Sequence, residues 1–210
     1  VQQVRLHIVE FRGFEKFIQG RPYWEVPVMV QRLCGICPVS HHLAAAKAMD
    51  AIVGAKRLPP TAEKIRRLMH YGQIMQSHAL HFFHLCSPDL LFGFDSEVGK
   101  RNIVGVAEKH PETARRGVLI RKFGQEAIRI TAGKRIHGTG AIPGGVNKSL
   151  TTDERDYLLQ DAYRIVSWCR DAVHLARELH ESDPALYNSF GIFRSHFMSL
   201  IGADGRMDLY

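Results

Sequence analysis

Apolar positions recur every three or four residues along most of this sequence, which predicts helices over strands. The exception is the opening, where Val4, Leu6 and Ile8 alternate with other residues and predict a short strand within residues 1–12. Phe11 to Glu15 follows, and Pro22 and Pro27 divide the next stretch into short pieces. Pro38 suits the first turn of a helix, where its missing N–H costs nothing, and Val39 to Val53 continues that helix. After Pro59 and Pro60, Thr61 is the predicted N-cap of a long helix reaching about Cys86. Its apolar face is Ile65, Leu68, Met69, Ile74, Met75, Phe82 and Leu85. A shorter helix is predicted for Val98 to Lys109 and another from Pro111 to about Gly133. The breakers between His137 and Gly145 predict an ordered loop. Thr151 and Glu154 form a capping box for a last helix to about Glu181, with Leu158, Ala162, Ile165, Cys169, Val173, Ala176 and Leu179 on one face. The expected fold is mainly α: a long-helix bundle with a short N-terminal β segment, one partial domain over 1–210 that is mostly helical from 38 to 190.

Composition narrows the class. A chain of 210 residues, 45% hydrophobic and 23% charged, is neither collagenous, nor disordered, nor a disulfide-stapled miniprotein. The net charge of +7 is spread thinly, without a basic tract, so no nucleic-acid partner is expected. No run approaches the roughly 18 apolar residues of a membrane span. Cys34, Cys37, Cys86 and Cys169 fit a reducing compartment better than a disulfide framework, and no secretory leader pattern is present. The chain opens on Val1 inside an apolar pattern, and Gly205 to Tyr210 reads as the beginning of a strand, so a piece of a longer protein is expected.

The sharpest chemical signal is Arg32-Leu33-Cys34-Gly35-Ile36-Cys37, followed by His41. Two thiols three residues apart, where a loop enters a helix, can point at one centre, and the helix end favours thiolates. His41 lies one turn beyond Cys37 and can reach back toward its sulfur. The ordinary alternative is a pair of buried structural thiols. A structural zinc site wants four ligands; no second paired motif supplies them, and His41 or His42 could add a third but leaves the fourth unnamed. A thioredoxin-like dithiol wants βαβ surroundings, whereas the downstream chain is helical.

His78, His81 and His84 step by three along one predicted helix. They are either a metal stripe or a packed polar seam, and the seam is the commoner outcome. No Glu has a His three residues later, which closes a di-iron bundle. Glu15, beside Arg12 and Lys16, is either a salt-bridge partner or an inward carboxylate for a hard cation or a proton.

Taken together, Arg12-Gly13-Phe14-Glu15, the Arg32–His41 motif, the Ser77–Leu85 stretch with Pro88 and Asp89, and the Pro143-Gly144-Gly145 turn resemble the large subunit of nickel–iron hydrogenases. The resemblance implies a nickel–iron centre whose iron carries carbonyl and cyanide. Cys34 would be a terminal nickel ligand and Cys37 the nickel–iron bridge. His41 would hydrogen-bond a bridging sulfur, and Glu15 would bind magnesium. Soft thiolates suit these metals.

The family's second cysteine pair, in Asp-Pro-Cys-x-x-Cys-x-x-His, and its early Arg-Ile-Glu-Gly motif are not in these 210 residues. Val9 to Phe17 and Pro143 to Asn147 look most like the NAD-reducing group, with cofactor-420- and viologen-reducing relatives close by. The implied activity is reversible heterolytic oxidation of hydrogen in the cytoplasm. Electrons would leave through an iron–sulfur small subunit, then through flavin-bearing diaphorase subunits, with His137 near the small-subunit boundary. No Gly-x-Gly-x-x-Gly follows a strand, in keeping with a dinucleotide site on another subunit. The other classes to be separated are a complex I-like relative without the metal and a zinc-stabilised interaction bundle.

Overall fold

The computed structural model describes residues 2–5 and 13–208. Residues 2–5, including Val4, carry no regular structure, and Leu6, Ile8 and Arg12 lie outside the described residues. Two short helices, α1 (Gly13–Ile18) and α2 (Val26–Met29), lead through a 3₁₀ turn (Val30–Leu33) to Cys34. Pro38 then occupies the first turn of α3 (Pro38–Ile52), with Cys37 as its N-cap residue.

The long predicted helix differs at both ends. Helix α4 (Pro60–Leu80) takes Pro59 as its N-cap, so Thr61 sits inside the first turn; Pro60 has its φ preset there and no N–H to satisfy. At the other end the chain widens into a π-helical turn (His81–Cys86) before α5 (Ser87–Phe92). Pro88 cannot donate a helical bond, and its ring crowds the carbonyl four residues back, so the wider turn gives it room. Ser87 Oγ donates to Phe83 O at 2.7 Å and occupies another carbonyl of that turn.

Helix α6 (Ile103–Lys109) starts later than Val98, because Asn102 Oδ1 caps it by accepting from the N–H groups of Val104 and Gly105. Helix α7 (Pro111–Ala132) ends at Gly133 in the left-handed conformation, and α8 (Thr152–Ser182) starts on the Thr151–Glu154 capping box. Between them the predicted loop holds a two-residue hairpin, β1 (Ala141–Ile142) and β2 (Gly145–Val146), paired antiparallel with Ala141 opposite Val146. The last helix is α9 (Pro184–Ser189), and a bridge between Ile201 and Met207 closes the turn near the end.

Helices α4 and α7 form the spine. A Cβ on Gly124 would lie 2.6 Å from Gly72 O, and one on Gly72 would lie 2.9 Å from Gly124 O. The two backbones approach that closely only because neither position has a side chain. One core joins α3, α4, α7 and β1 through Val39, Leu43, Ala46, Met69, Ile128, Ala132 and Ala141. A second joins α4, the π turn, α7 and α8 through Ala79, Phe83, Ile120 and Ile165. No described helix is long and apolar enough to cross a membrane.

Candidate metal centre

The Cys34–Cys37 turn lies between the 3₁₀ turn and the N-terminus of the fifteen-residue helix α3. The backbone N–H groups of Ile36 and Cys37 both donate to Cys34 Sγ, each at 3.3 Å. Such bonds favour the charged sulfur. The Cys37 thiol and these two N–H groups lower the Cys34 pKa below the ordinary thiol value. Burial, followed by the bond to Cys34 and its charge, pushes Cys37 up to about 11. In the metal-free pair the Cys37 thiol therefore donates to Cys34 Sγ, with both sulfurs half-buried at a helix N-terminus. All four cysteines are free thiols.

Side chains far away in sequence frame this turn. Gln73 and Gln76 of α4 both donate to Ile36 O, at 2.9 and 2.7 Å. His42, fully buried, joins three segments: its Nδ1 donates to Pro27 O at 2.7 Å and its Nε2 accepts from Ala141 N–H at 3.0 Å. Arg66, also fully buried, donates to both oxygens of Asp50 at 2.6 and 3.2 Å. The same guanidinium donates to Ile142 O at 2.7 Å and Gly145 O at 3.1 Å, while Asp50 Oδ1 accepts from Gly144 N–H at 2.7 Å. The hairpin is thus tied to α3 and α4 by one buried ion pair. Of these residues the sequence patterns mark Pro27, Ile36, His42 and the glycines, but not Asp50, Arg66, Gln73 or Gln76. The available signal is polar residues among apolar neighbours on helical faces, which does not say what they meet.

Burial holds the His42 pKa below its ordinary value, against the opposing bond to Pro27 O. The folded state therefore prefers the neutral ring. Its contribution to stability is full above the ordinary histidine pKa of about 6.5 and is lost as pH falls through the depressed folded value. The thermal midpoint of the full-length protein should hold steady above about pH 7 and decline on acidification. His42→Gln should lower the midpoint and flatten that decline. Equal acid slopes in both proteins would show that His42 is not the group responsible.

The other sequence candidates separate. His41 is half-buried in the second turn of α3. Glu15 is exposed on α1. The three spaced histidines do not converge. His78 Nδ1 donates to Ile74 O at 2.9 Å, His81 Nε2 lies 3.2 Å from Cys86 Sγ, and His84 Nδ1 is buried without a partner. The π turn also disturbs the three-residue spacing that would align them. Among the described residues no group of three or more His, Cys, Asp or Glu side chains could hold a metal ion. His137, in the loop before the hairpin, takes φ 55° and has a buried Nε2 without a partner.

Comparison with known proteins identifies the surroundings of this turn. Residues 12–92 match the nickel-dependent hydrogenase family. The NAD-reducing hydrogenase HoxS subunit beta of Cupriavidus necator is 43% identical over 221 residues, which span 100% of this chain and 45% of that protein. The vhu F420-non-reducing hydrogenase of Methanocaldococcus jannaschii has a chain that is also 43% identical, over 100% of this chain and 50% of the relative. The chain therefore spans about half the length of the curated relatives it matches.

Among solved structures, an NAD+-reducing [NiFe]-hydrogenase in the H2-reduced state superposes with a TM-score of 0.93 at 62% identity, covering 98% of this chain and 46% of that one. The Ni-Fe-Se hydrogenase from Desulfovibrio vulgaris Hildenborough shares the fold, with a TM-score of 0.71 at 24% identity over 85% of this chain and 39% of that one. With residues 12–92 matching the family and 98% of the chain superposing at 62% identity, the chain belongs to the large-subunit family of nickel-dependent hydrogenases.

Proposed function

We propose that this chain supplies the Cys34–Cys37 half of the nickel–iron site of a hydrogenase that oxidises hydrogen reversibly and delivers the electrons to NAD. The observation that carries the reading is the turn itself: two thiols at a helix N-terminus, one already bonded to two N–H groups. This donor set fits soft or borderline metals such as nickel and low-spin iron. A closed structural zinc site would also need further ligands, so the metal content separates the two readings.

In this reading Cys34 and Cys37 would hold the nickel–iron group, Cys34 through nickel and Cys37 through both metals. When bound, the metal group supplies Lewis-acid polarisation of hydrogen and the redox capacity for its electrons. The chain's own residues orient and insulate. The two N–H groups hold Cys34 Sγ, Pro38 and α3 fix the direction of Cys37, and His41, one turn into α3, would donate a hydrogen bond to the Cys37 sulfur. Glu15, exposed on α1, would lend its carboxylate to a magnesium ion.

Electrons leave through an iron–sulfur small subunit, then through flavin-bearing diaphorase subunits. The strained backbone and unpartnered nitrogen of His137 support placing it at the boundary with the small subunit. A cytoplasmic complex accords with four free thiols and a nicotinamide acceptor.

The test is made on the full-length protein with its partner subunits. Stoichiometric nickel and iron together with hydrogen-dependent reduction of NAD are the expected result. Zinc alone, or no metal, would overturn the assignment. Reduction of cofactor 420 or viologen with NAD untouched would overturn the choice of acceptor while leaving the metal site in place.

A further inference from the structure

The geometry points to Gln73 and Gln76 as positioning residues that set the sulfur environment at Cys34. The inference rests on the proposed role of Cys34 and Cys37 as metal-holding thiolates. The Cys34–Cys37 turn has little burial of its own to keep it in place: Gly35 is exposed and Ile36 is 46% exposed. Its fixed point is the Ile36 carbonyl, which accepts from Gln73 Nε2 at 2.9 Å and Gln76 Nε2 at 2.7 Å. Two donors fill both lone pairs of that oxygen. The two glutamines stand three apart on α4, so both reach the same point from one face.

The consequence follows from the planar peptide. In a trans peptide the carbonyl of Ile36 and the N–H of Cys37 point in opposite directions within one plane. Anchoring the oxygen on α4 therefore aims the Cys37 N–H the other way, where it donates to Cys34 Sγ at 3.3 Å. Gln73 and Gln76 are 2% and 5% exposed, and Gln73 Oε1 is buried without a partner. An amide buried at that desolvation cost, with half its capacity unused, contributes little to folding beyond its one bond. That bond is to the turn. Hydrogen bonds to ligating sulfur withdraw electron density and raise the potential of the metal they serve.

The experiment compares Gln73→Met, Gln76→Met and the double variant in the full-length complex, with Ile165→Ala, in the core between α4, α7 and α8, as a packing control. Nickel content, the midpoint potential of the nickel signal and the infrared frequency of iron-bound carbonyl are read alongside thermal stability. Each single variant should retain nickel and shift the potential negatively and the carbonyl band downward. The double variant should shift further and lose nickel. Ile165→Ala should lower the melting temperature without moving either signature. Potentials and bands unchanged in both single variants would overturn the inference, even if the double variant fails to assemble. So would equal shifts in the packing control. A wild-type protein without nickel and iron would instead overturn the functional reading on which the inference rests.

Discussion

Replacing Cys37 with serine in the full-length protein is expected to abolish hydrogen uptake and to remove most of the bound nickel. The proposed bridging position asks one atom to bind two metals, and a soft thiolate does so through large, polarisable orbitals that a serine oxygen lacks. Serine also ionises far less readily than a thiol, so at neutral pH the replacement would present a neutral hydroxyl. Cys37 needs the metal to become a thiolate as well, since burial and the neighbouring Cys34 charge push it up to about 11 in the free pair. A cation placed there reverses that penalty. Hydrogen consumption and nickel by elemental analysis are the two measurements. A serine variant with wild-type values of both would remove Cys37 from the site.

The second large effect is one of stability. Arg66→Met should destabilise the protein by about 3–5 kcal/mol, because it leaves the Asp50 carboxylate buried without its cation. Asp50 is 7% exposed and would keep the Gly144 N–H, while the carbonyls of Ile142 and Gly145 would lose their donor. The hairpin would then be held by its own ladder, the Asp50 bond to Gly144 and the His42 bond to Ala141. Denaturant unfolding of the full-length protein measures the loss. Adding Asp50→Asn should recover part of it by removing the uncompensated charge. As a contrast, disrupting the exposed Lys100–Glu97 pair should move the midpoint little, because water already solvates both ends. A loss below about 1 kcal/mol for Arg66→Met would mean that the buried pair does not organise the hairpin.

What was legible in the sequence shares one property: the interacting groups lie within a few residues of each other. The Cys34–Cys37 spacing, Pro38 in the first turn of α3, the Thr151–Glu154 capping box and Gly133 at the end of α7 are all of this kind. Local backbone geometry alone brings such groups together, so their types and spacing suffice. The helical period likewise announced a mainly α chain, because a repeating apolar stripe needs no knowledge of its partner.

The π turn at His81–Cys86 escaped, since one widened turn barely changes the period and its cause, Pro88, lies beyond it. The frame around the cysteines escaped for a stronger reason. Gln73 and Gln76 reach Ile36 across 37 and 40 residues, His42 reaches Ala141 across 99, and Asp50 reaches Gly144 across 94. Each of these bonds exists only once α3, α4 and α7 have taken their packing distances. Those distances depend in turn on the contact between Gly72 and Gly124, two residues with no side chain to signal it. The sequence by itself determined which thiols stand together at a helix end. Only the tertiary structure decided which buried amides and charges hold them there, because a hydrogen bond between helices is set by packing and not by spacing along the chain.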